Sequence, residues 1–148
     1  VIAREVVIAI SFGGRMVAID TRSGSRVWSR SIGGSETPWI AGDYVYVITS
    51  DSEVVALSRL SGQVVWVKAL PAYQNVEDRK NAIIWRGPIM ASNALIITGS
   101  DGTVRHFDPK SGEDIGSWDT KESIAMPPII AGETLYITTN SGKVLAYK

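Results

Sequence analysis

Four acidic side chains could supply the oxygen atoms that a hard cation such as calcium binds: Asp20, Glu36, Asp108 and Asp119. A calcium site needs several such ligands to converge at one place. These four are scattered along the chain, and Asp20 and Asp108 each precede a Ser-Gly pair in a repeated sequence. An Asp in that position typically accepts hydrogen bonds from the amide groups of a turn. The acidic residues therefore predict turns, and we expect neither a metal ion nor a cofactor.

The single histidine, His106, is the other candidate for acid–base chemistry near neutral pH. A general base needs a nucleophile or a carboxylate as its partner, and the sequence places none at an informative spacing. His106 also occupies the repeat position of Ala18 and Ala56, which favours a packing role. The chain has no cysteine, so disulfides, thiol catalysis and thiolate metal sites are excluded. No catalytic residue is predicted.

A repeated segment organises the chain. Residues 18–28 read Ala-x-Asp-x-x-Ser-Gly-x-x-x-Trp, and the pattern returns at 56–66 and, in weaker form, at 106–116. The Gly suits a turn that needs a positive φ angle. A Trp near the end of each copy provides a large apolar side chain that can pack one unit against the next. We therefore assign a structural role between units to Trp28, Trp66 and Trp118.

Each unit of about 40 residues contains four short segments with alternating polarity and many β-branched or aromatic residues, which is typical of strands. Four antiparallel strands per unit are the layout of a β-propeller blade. The predicted fold is therefore all-β, with four-stranded antiparallel blades that make up about half of an eight-bladed ring. The first blade is expected to contain only its second to fourth strands, and the last only its first to third. The predicted blades are 1–30 (partial), 38–68, 88–118 and 128–148 (partial).

Charge and length limit the partners that the chain can have. The 148 residues carry 15 basic and 15 acidic side chains, so no net field attracts nucleic acid or an anionic membrane. No apolar run is long enough to span a bilayer. Half a ring leaves strand edges unpaired and blade faces uncovered, which natural folds avoid. We therefore expect either a fragment of a longer propeller or a chain that pairs with a second copy of itself.

One segment is not required by the repeat. The spacing between successive turn glycines rises from 38 to 50 residues, and the additional residues lie between Ala69 and Arg86. Aromatic and Arg side chains on an exposed loop are typical anchors of a protein interface. The alternative is that the charged run at 77–80 is simply a solvated loop tip. The predicted partner-binding residues are Tyr73, Arg79, Trp85 and Arg86.

The repeat resembles the tryptophan-docking repeat of propellers related to quinoprotein alcohol dehydrogenases. Within that superfamily, the segments Ile84–Pro88 and Asn140–Lys148 are most similar to the carboxy-terminal half of the BamB family. That resemblance implies a non-catalytic scaffold of the bacterial outer-membrane β-barrel assembly machinery, at the periplasmic face of the outer membrane. It also implies a lipid anchor outside this chain, and partners that are the periplasmic domains of BamA and unfolded outer-membrane proteins.

Two alternatives remain open at this point. The quinoprotein enzymes of the superfamily bind pyrroloquinoline quinone with calcium, so the chain could be a fragment of such a dehydrogenase. A scaffold could instead bind extended client segments along its strand edges, where main-chain hydrogen bonds recognise a peptide without the use of side chains.

Overall fold

The computed structural model describes residues 1–3 and 5–148. The described chain forms two compact units, Val1–Ala69 and Leu70–Lys148. Every regular element in these residues is a β-strand, and every strand pairing is antiparallel. Over the described ranges there is accordingly no helix with the length and apolar character needed to cross a membrane.

The first unit contains two four-stranded sheets whose strands follow one another in chain order. The first sheet consists of β1 (Ile2–Ala3), β2 (Val6–Ser11), β3 (Arg15–Asp20) and β4 (Arg26–Arg30). The second sheet consists of β5 (Trp39–Ala41), β6 (Tyr44–Ile48), β7 (Glu53–Ser58) and β8 (Val64–Ala69).

The core of the first unit lies between its two sheets. Side chains alternate across a strand, so every second residue of β2 and β3 points to the same face. Ile8, Met16 and Ala18 on that face are fully buried, and they pack against Val45 and Leu57 of the second sheet. Alternation in the sequence thus places one apolar face of each sheet in a shared core.

The second unit contains a hairpin and two sheets. The hairpin pairs β9 (Tyr73–Asn75) with β10 (Lys80–Ala82). The four-stranded sheet consists of β11 (Trp85–Ala91), β12 (Ala94–Gly99), β13 (Thr103–Phe107) and β14 (Asp114–Asp119). The last sheet has three strands, β15 (Ile129–Ala131), β16 (Thr134–Thr138) and β17 (Val144–Tyr147). The core of the second unit again lies between two sheets, where Ile96 and Val104 pack against Leu135 and Ile137.

The turns of the repeat have the conformation that the sequence predicts. Gly24, Gly62 and Gly112 have φ angles of 70°, 67° and 72°. In each turn the Gly amide donates a hydrogen bond to the carbonyl of the Asp or Ser four residues earlier, at 2.8–2.9 Å. The prediction of a left-handed glycine is confirmed in all three copies, and the reason is that a Cβ atom disfavours that conformation.

Two local expectations are wrong. The sequence predicted three strands before residue 31, but the structure adds the two-residue strand β1, which pairs with β2. The additional residues after Ala69 were expected to form a loop, but they contain the hairpin β9–β10. Both strands of the hairpin are three residues long, too short for alternation to be recognised in the sequence. The blade boundaries 1–30, 38–68, 88–118 and 128–148 stay predictions.

Candidate interaction surface

Three of the four carboxylates that could have bound a cation accept hydrogen bonds from nearby backbone amides, and the fourth, Glu36, is buried. Asp20 Oδ1 accepts hydrogen bonds from the amides of Arg22 (3.0 Å) and Ser23 (2.7 Å) and from the Ser23 hydroxyl (2.9 Å). The Ser23 hydrogen bonds lower the pKa of Asp20 below its ordinary value of 3.8, because they stabilise the ionised carboxylate. The turn role predicted for Asp20 is confirmed by this geometry.

Asp108 repeats the arrangement. It accepts from the amides of Lys110 and Ser111 at 2.9 and 2.8 Å, and the Ser111 hydrogen bonds lower its pKa in the same way. Asp119 accepts from the amide and the ammonium group of Lys121, which also lowers its pKa. Within residues 1–3 and 5–148, no three His, Asp or Glu side chains lie close enough together to hold a metal ion.

His106 packs in the second unit against an aromatic side chain. Its ring meets the ring of Trp118 edge-on at a centroid distance of 4.7 Å, and Tyr147 lies 5.4 Å beyond Trp118. Burial lowers the pKa of His106 below its ordinary value of 6.5, and the nearby charge of Asp114 opposes that shift. These contacts agree with the predicted packing role.

The register explains why a histidine fits in this position. In the first two sheets the repeat Ala lies directly opposite Trp, as Ala18 opposite Trp28. In the third sheet His106 lies opposite Gly116, and Trp118 has moved two residues along the strand, to a position opposite Val104. A small residue facing a large one has been replaced by a larger residue facing glycine, and the displaced Trp118 ring packs against the His106 ring.

The three tryptophans have different surroundings. Trp28 is buried, and its indole N–H donates to the carbonyl of Arg59 in the second sheet at 2.8 Å. Trp66 is half-buried with its ring 6.0 Å from that of Tyr46. The indole nitrogen of Trp118 is buried and has no hydrogen-bond partner among the described residues.

The hairpin β9–β10 is the main feature that the repeat does not require. Asn75 pairs with Lys80 and closes a four-residue turn. The side chain of Asn75 donates to the Asp78 carboxylate at 3.2 Å and accepts from the Asp78 amide at 3.1 Å. The turn is therefore fixed by its own side chain while its tip projects into solvent.

The base of the hairpin is anchored by buried groups. Trp85 is only 5% exposed, and its indole N–H donates to the carbonyl of Pro71 at 2.8 Å. Leu70 and Ile83 are buried beside it, and the Ile83 amide donates to the carbonyl of Ala72 at 2.9 Å. The expectation that Trp85 lies on an exposed loop is wrong, because its ring fills the base of the hairpin.

The other three predicted residues are more accessible. Arg79 is exposed at the hairpin tip, where it has a φ angle of 51°. Tyr73 is half-buried at the start of β9, and Arg86 is half-buried in β11, where it pairs with Thr98. The structure thus brings Tyr73 and Arg79 onto one hairpin and places Arg86 in the adjoining strand.

Two exposed apolar residues of this region were not predicted. Val76 is 69% exposed at the hairpin tip, and Ile84 is 53% exposed between the hairpin and β11. They surround the charged run that includes Glu77 and Lys80. An apolar group amid charges on a projecting hairpin is suited to protein contact. The signal available in the sequence was that neither residue belongs to the repeat.

Comparison with known proteins identifies the relatives of this chain. The family model described as outer membrane protein assembly factor BamB matches residues 1–68. BamB of Marinobacter adhaerens is 23% identical over 149 residues, which cover 99% of this chain and 36% of the relative. BamB of Escherichia coli is 23% identical over 145 residues, which cover 97% of this chain and 35% of the relative.

The chain is similar to BamB proteins over nearly its whole length. A second model, described as the anaphase-promoting complex subunit 4 WD40 domain, matches residues 42–131. WD40 repeats also form four-stranded propeller blades, so the two models agree on the fold. The similarity to BamB proteins extends over 99% of the chain, whereas the second model covers only residues 42–131. The chain spans about a third of the length of those relatives, at 35–36%.

Solved structures agree on the fold class. The crystal structure of BamB from Moraxella catarrhalis has a TM-score of 0.76 at 22% identity, and the match covers 97% of this chain and 46% of that one. Quinohemoprotein alcohol dehydrogenase from Comamonas testosteroni has a TM-score of 0.72 at 16% identity, with 94% and 28% covered. The chain is therefore an all-β protein of four-stranded propeller blades, as the sequence predicted.

Proposed function

We propose that this chain is part of a non-catalytic scaffold of outer-membrane protein assembly. The observation that carries the proposal is its similarity, over nearly the whole chain, to relatives named outer membrane protein assembly factor. The proposed site of action is the periplasmic face of the outer membrane, where a lipid on another part of the protein holds the scaffold. The proposed partners are the periplasmic domains of BamA and unfolded outer-membrane proteins.

The hairpin β9–β10 is the proposed contact surface for BamA. Its tip projects Val76 and Arg79 into solvent, and its base is fixed by the buried ring of Trp85. A rigid, pre-formed projection loses little conformational entropy when a partner binds. Arg79 can make several hydrogen bonds to partner carboxylates or carbonyls. Tyr73 at the start of β9 and Arg86 in β11 complete the proposed surface.

Binding to the periplasmic domains of BamA, measured by calorimetry, tests this surface. Arg79→Ala should weaken binding by about 1 kcal/mol or more, roughly a fivefold loss of affinity. The matched control is Arg22→Ala, since Arg22 is also an exposed arginine in a turn, where it pairs with exposed Glu5 at 3.4 Å. Equal affinities for the two variants and the unmodified chain would reject the hairpin as the contact.

A second variant separates the hairpin from single side chains. Replacing residues 76–79 by Asn-Gly keeps a two-residue turn between β9 and β10 and removes the projecting tip. Circular dichroism should be unchanged, because Trp85 still anchors the base. If this shortened variant binds BamA with full affinity, the contact lies elsewhere on the chain. If the unmodified chain does not bind BamA, the scaffold proposal itself fails.

The dehydrogenase alternative is favoured only by the likeness in fold to the Comamonas enzyme. The residues do not fit a calcium-bound quinone. Asp20 and Asp108 are engaged by turn amides, and Asp119 is engaged by Lys121. Titration with pyrroloquinoline quinone and calcium discriminates the two functions. A rise in melting temperature or a change in quinone absorbance would favour the enzyme, and no response would favour the scaffold.

A further inference from the structure

The fourth strand of each four-stranded sheet lies at an edge of that sheet. These strands are β4, β8 and β14, which pair with β3, β7 and β13 in that order. On its other side, none of the three pairs with a strand of the described residues. An edge strand presents a row of main-chain N–H and C=O groups that an additional strand can bind. The side chains of the three strands therefore decide which edge is open to another polypeptide.

Two of the three edges carry a charge at each end. β4 begins with Arg26 and ends with Arg30, and β14 begins with Asp114 and ends with Asp119. Charged side chains on an edge strand oppose the addition of an apolar strand. β14 also contains Gly116, and a glycine weakens the interior of a strand. Both edges therefore have features that protect against pairing.

β8 has apolar residues where the other copies of the repeat are polar. In the register, Val64 takes the position that Arg26 has in the first sheet and Asp114 in the third. Val67 takes the position of Ser29. Val64 and Val67 are each 50% exposed. Because the repeat accepts polar residues at both positions, the fold does not require these valines.

The apolar character extends beyond these two positions. Val65 is 47% exposed, and Leu60, in the turn that precedes β8, is 65% exposed. Lys68 is the single charged residue of the strand. A charged segment that docked here would lose its hydration and find little to pair with. The occupant that matches this edge is therefore an extended, uncharged segment with apolar side chains.

We propose that β8, and neither β4 nor β14, binds an extended apolar segment of an unfolded polypeptide as an additional strand. Main-chain hydrogen bonds along the edge provide affinity, and Val64, Val65 and Val67 select apolar side chains. The inference rests on the proposed function, because it assigns a surface to the unfolded clients of the scaffold. It uses no residue of the hairpin β9–β10, which is the surface proposed for BamA.

The first experiment uses a fluorescein-labelled peptide of alternating valine and threonine residues with blocked termini. Fluorescence anisotropy measures its affinity for the chain. A second peptide of the same sequence is N-methylated at every residue, which removes all of its main-chain donors. We expect only the unmethylated peptide to bind. Equal binding of the two peptides, or no binding of the first, would overturn the proposal.

A double variant tests which edge binds the peptide. Val64→Arg combined with Val67→Ser gives β8 the residues that β4 has at the same positions of the register. This variant should remain folded, as circular dichroism can verify, because the first sheet accepts these residues. Its affinity for the peptide should fall about tenfold or more, since the edge gains a charge and loses apolar contacts.

The matched control is Val27→Ser on β4. Val27 is also a valine on an edge strand, and its exposure of 48% is close to that of Val64 and Val67. Its replacement should leave the affinity for the peptide unchanged. Full affinity in the double variant, or an equal loss in Val27→Ser, would show that β8 is not the binding edge.

Binding to the periplasmic domains of BamA separates this inference from the proposed function. The double variant should bind BamA as the unmodified chain does, because the hairpin is unchanged. If the unmodified chain binds BamA but not the peptide, this inference alone is overturned. If it binds neither, the proposed function is overturned as well.

Discussion

Trp28 and Trp118 come from corresponding copies of one repeat, yet they are held differently. Trp28 donates its N–H to the carbonyl of Arg59, and its ring lies so close to Gly62 that a Cβ there would be 2.6 Å from the ring. Trp118 has a buried indole nitrogen without a partner in the described ranges, and its ring contacts His106 and Tyr147 instead.

The difference shows which part of the repeat tolerates less change in sequence. Trp28 depends on a neighbouring turn, because Arg59 accepts its hydrogen bond and Gly62 leaves no room for a Cβ atom beside its ring. Trp118 depends instead on contacts with the side chains of His106 and Tyr147. In this copy His106 stands opposite Gly116 where the earlier copies have an Ala–Trp pair, and Trp118 packs on the His106 ring from two residues further along the strand. Turn geometry is therefore the more demanding constraint.

Removal of the two rings should have unequal effects. Trp28→Ala deletes a buried ring and a hydrogen bond and should lower the free energy of unfolding by about 3–5 kcal/mol. Trp118→Ala deletes a half-buried ring without such a bond and should cost about 1–2 kcal/mol. Urea unfolding of both variants, followed by circular dichroism, measures the two values.

One outcome of the unfolding experiment would contradict the predicted difference between the two tryptophans. If Trp118→Ala costs as much as Trp28→Ala, then the side-chain contacts of Trp118 are as strong as the turn contacts of Trp28. Trp28→Phe serves as the intermediate control, because it keeps an aromatic ring with most of the apolar surface and lacks the N–H donor. It should cost less than Trp28→Ala.

Two glycines sharpen the comparison further. Gly24 and Gly62 have nearly the same φ, 70° and 67°, but a Cβ at Gly24 would meet nothing within 4 Å, whereas one at Gly62 would meet the Trp28 ring. Gly24→Ala should lower the free energy of unfolding by roughly 1–2 kcal/mol, which is the cost of holding a residue with a Cβ atom in the left-handed conformation. Gly62→Ala should cost roughly 1–3 kcal/mol more, because it also overpacks the ring.

The measurement for the glycine pair is again urea unfolding, with Trp fluorescence as a second probe. Only Gly62→Ala should change the fluorescence of the folded chain, since only this substitution displaces Trp28. Equal destabilisation by the two substitutions would mean that the turn moves away from the ring at little cost.

The sequence predicted the repeat, the turns and the strands because each recurs. The predicted blade 38–68, with four strand-like segments, contains the four strands β5–β8. A pattern that appears in several copies can be checked against itself. The left-handed glycines and the Asp caps were recognisable for the same reason, since the turn needs those residue types.

The hairpin could not be predicted in the same way. It occurs once, so no second copy indicates which of its residues are buried. Trp85 was expected to be exposed because its position is not that of the repeat Trp, but its N–H finds an acceptor 14 residues away, at Pro71. The acceptor is a backbone carbonyl, which any residue supplies, and such a contact leaves no signal in residue types.

His106 provides the smallest and most specific test of the comparison. Burial lowers its pKa below 6.5 in the folded chain, so the unfolded chain binds more protons as the pH falls below 6.5. The stability that neutral His106 contributes is fully present above pH 6.5 and is lost as the pH falls from there towards the folded pKa. His106→Gln cannot take up a proton, and its loss of stability between pH 7.5 and 5 should therefore be smaller than that of the unmodified chain. Urea midpoints at the two pH values measure this, and equal losses would show that the contact with Trp118 tolerates a charged imidazole.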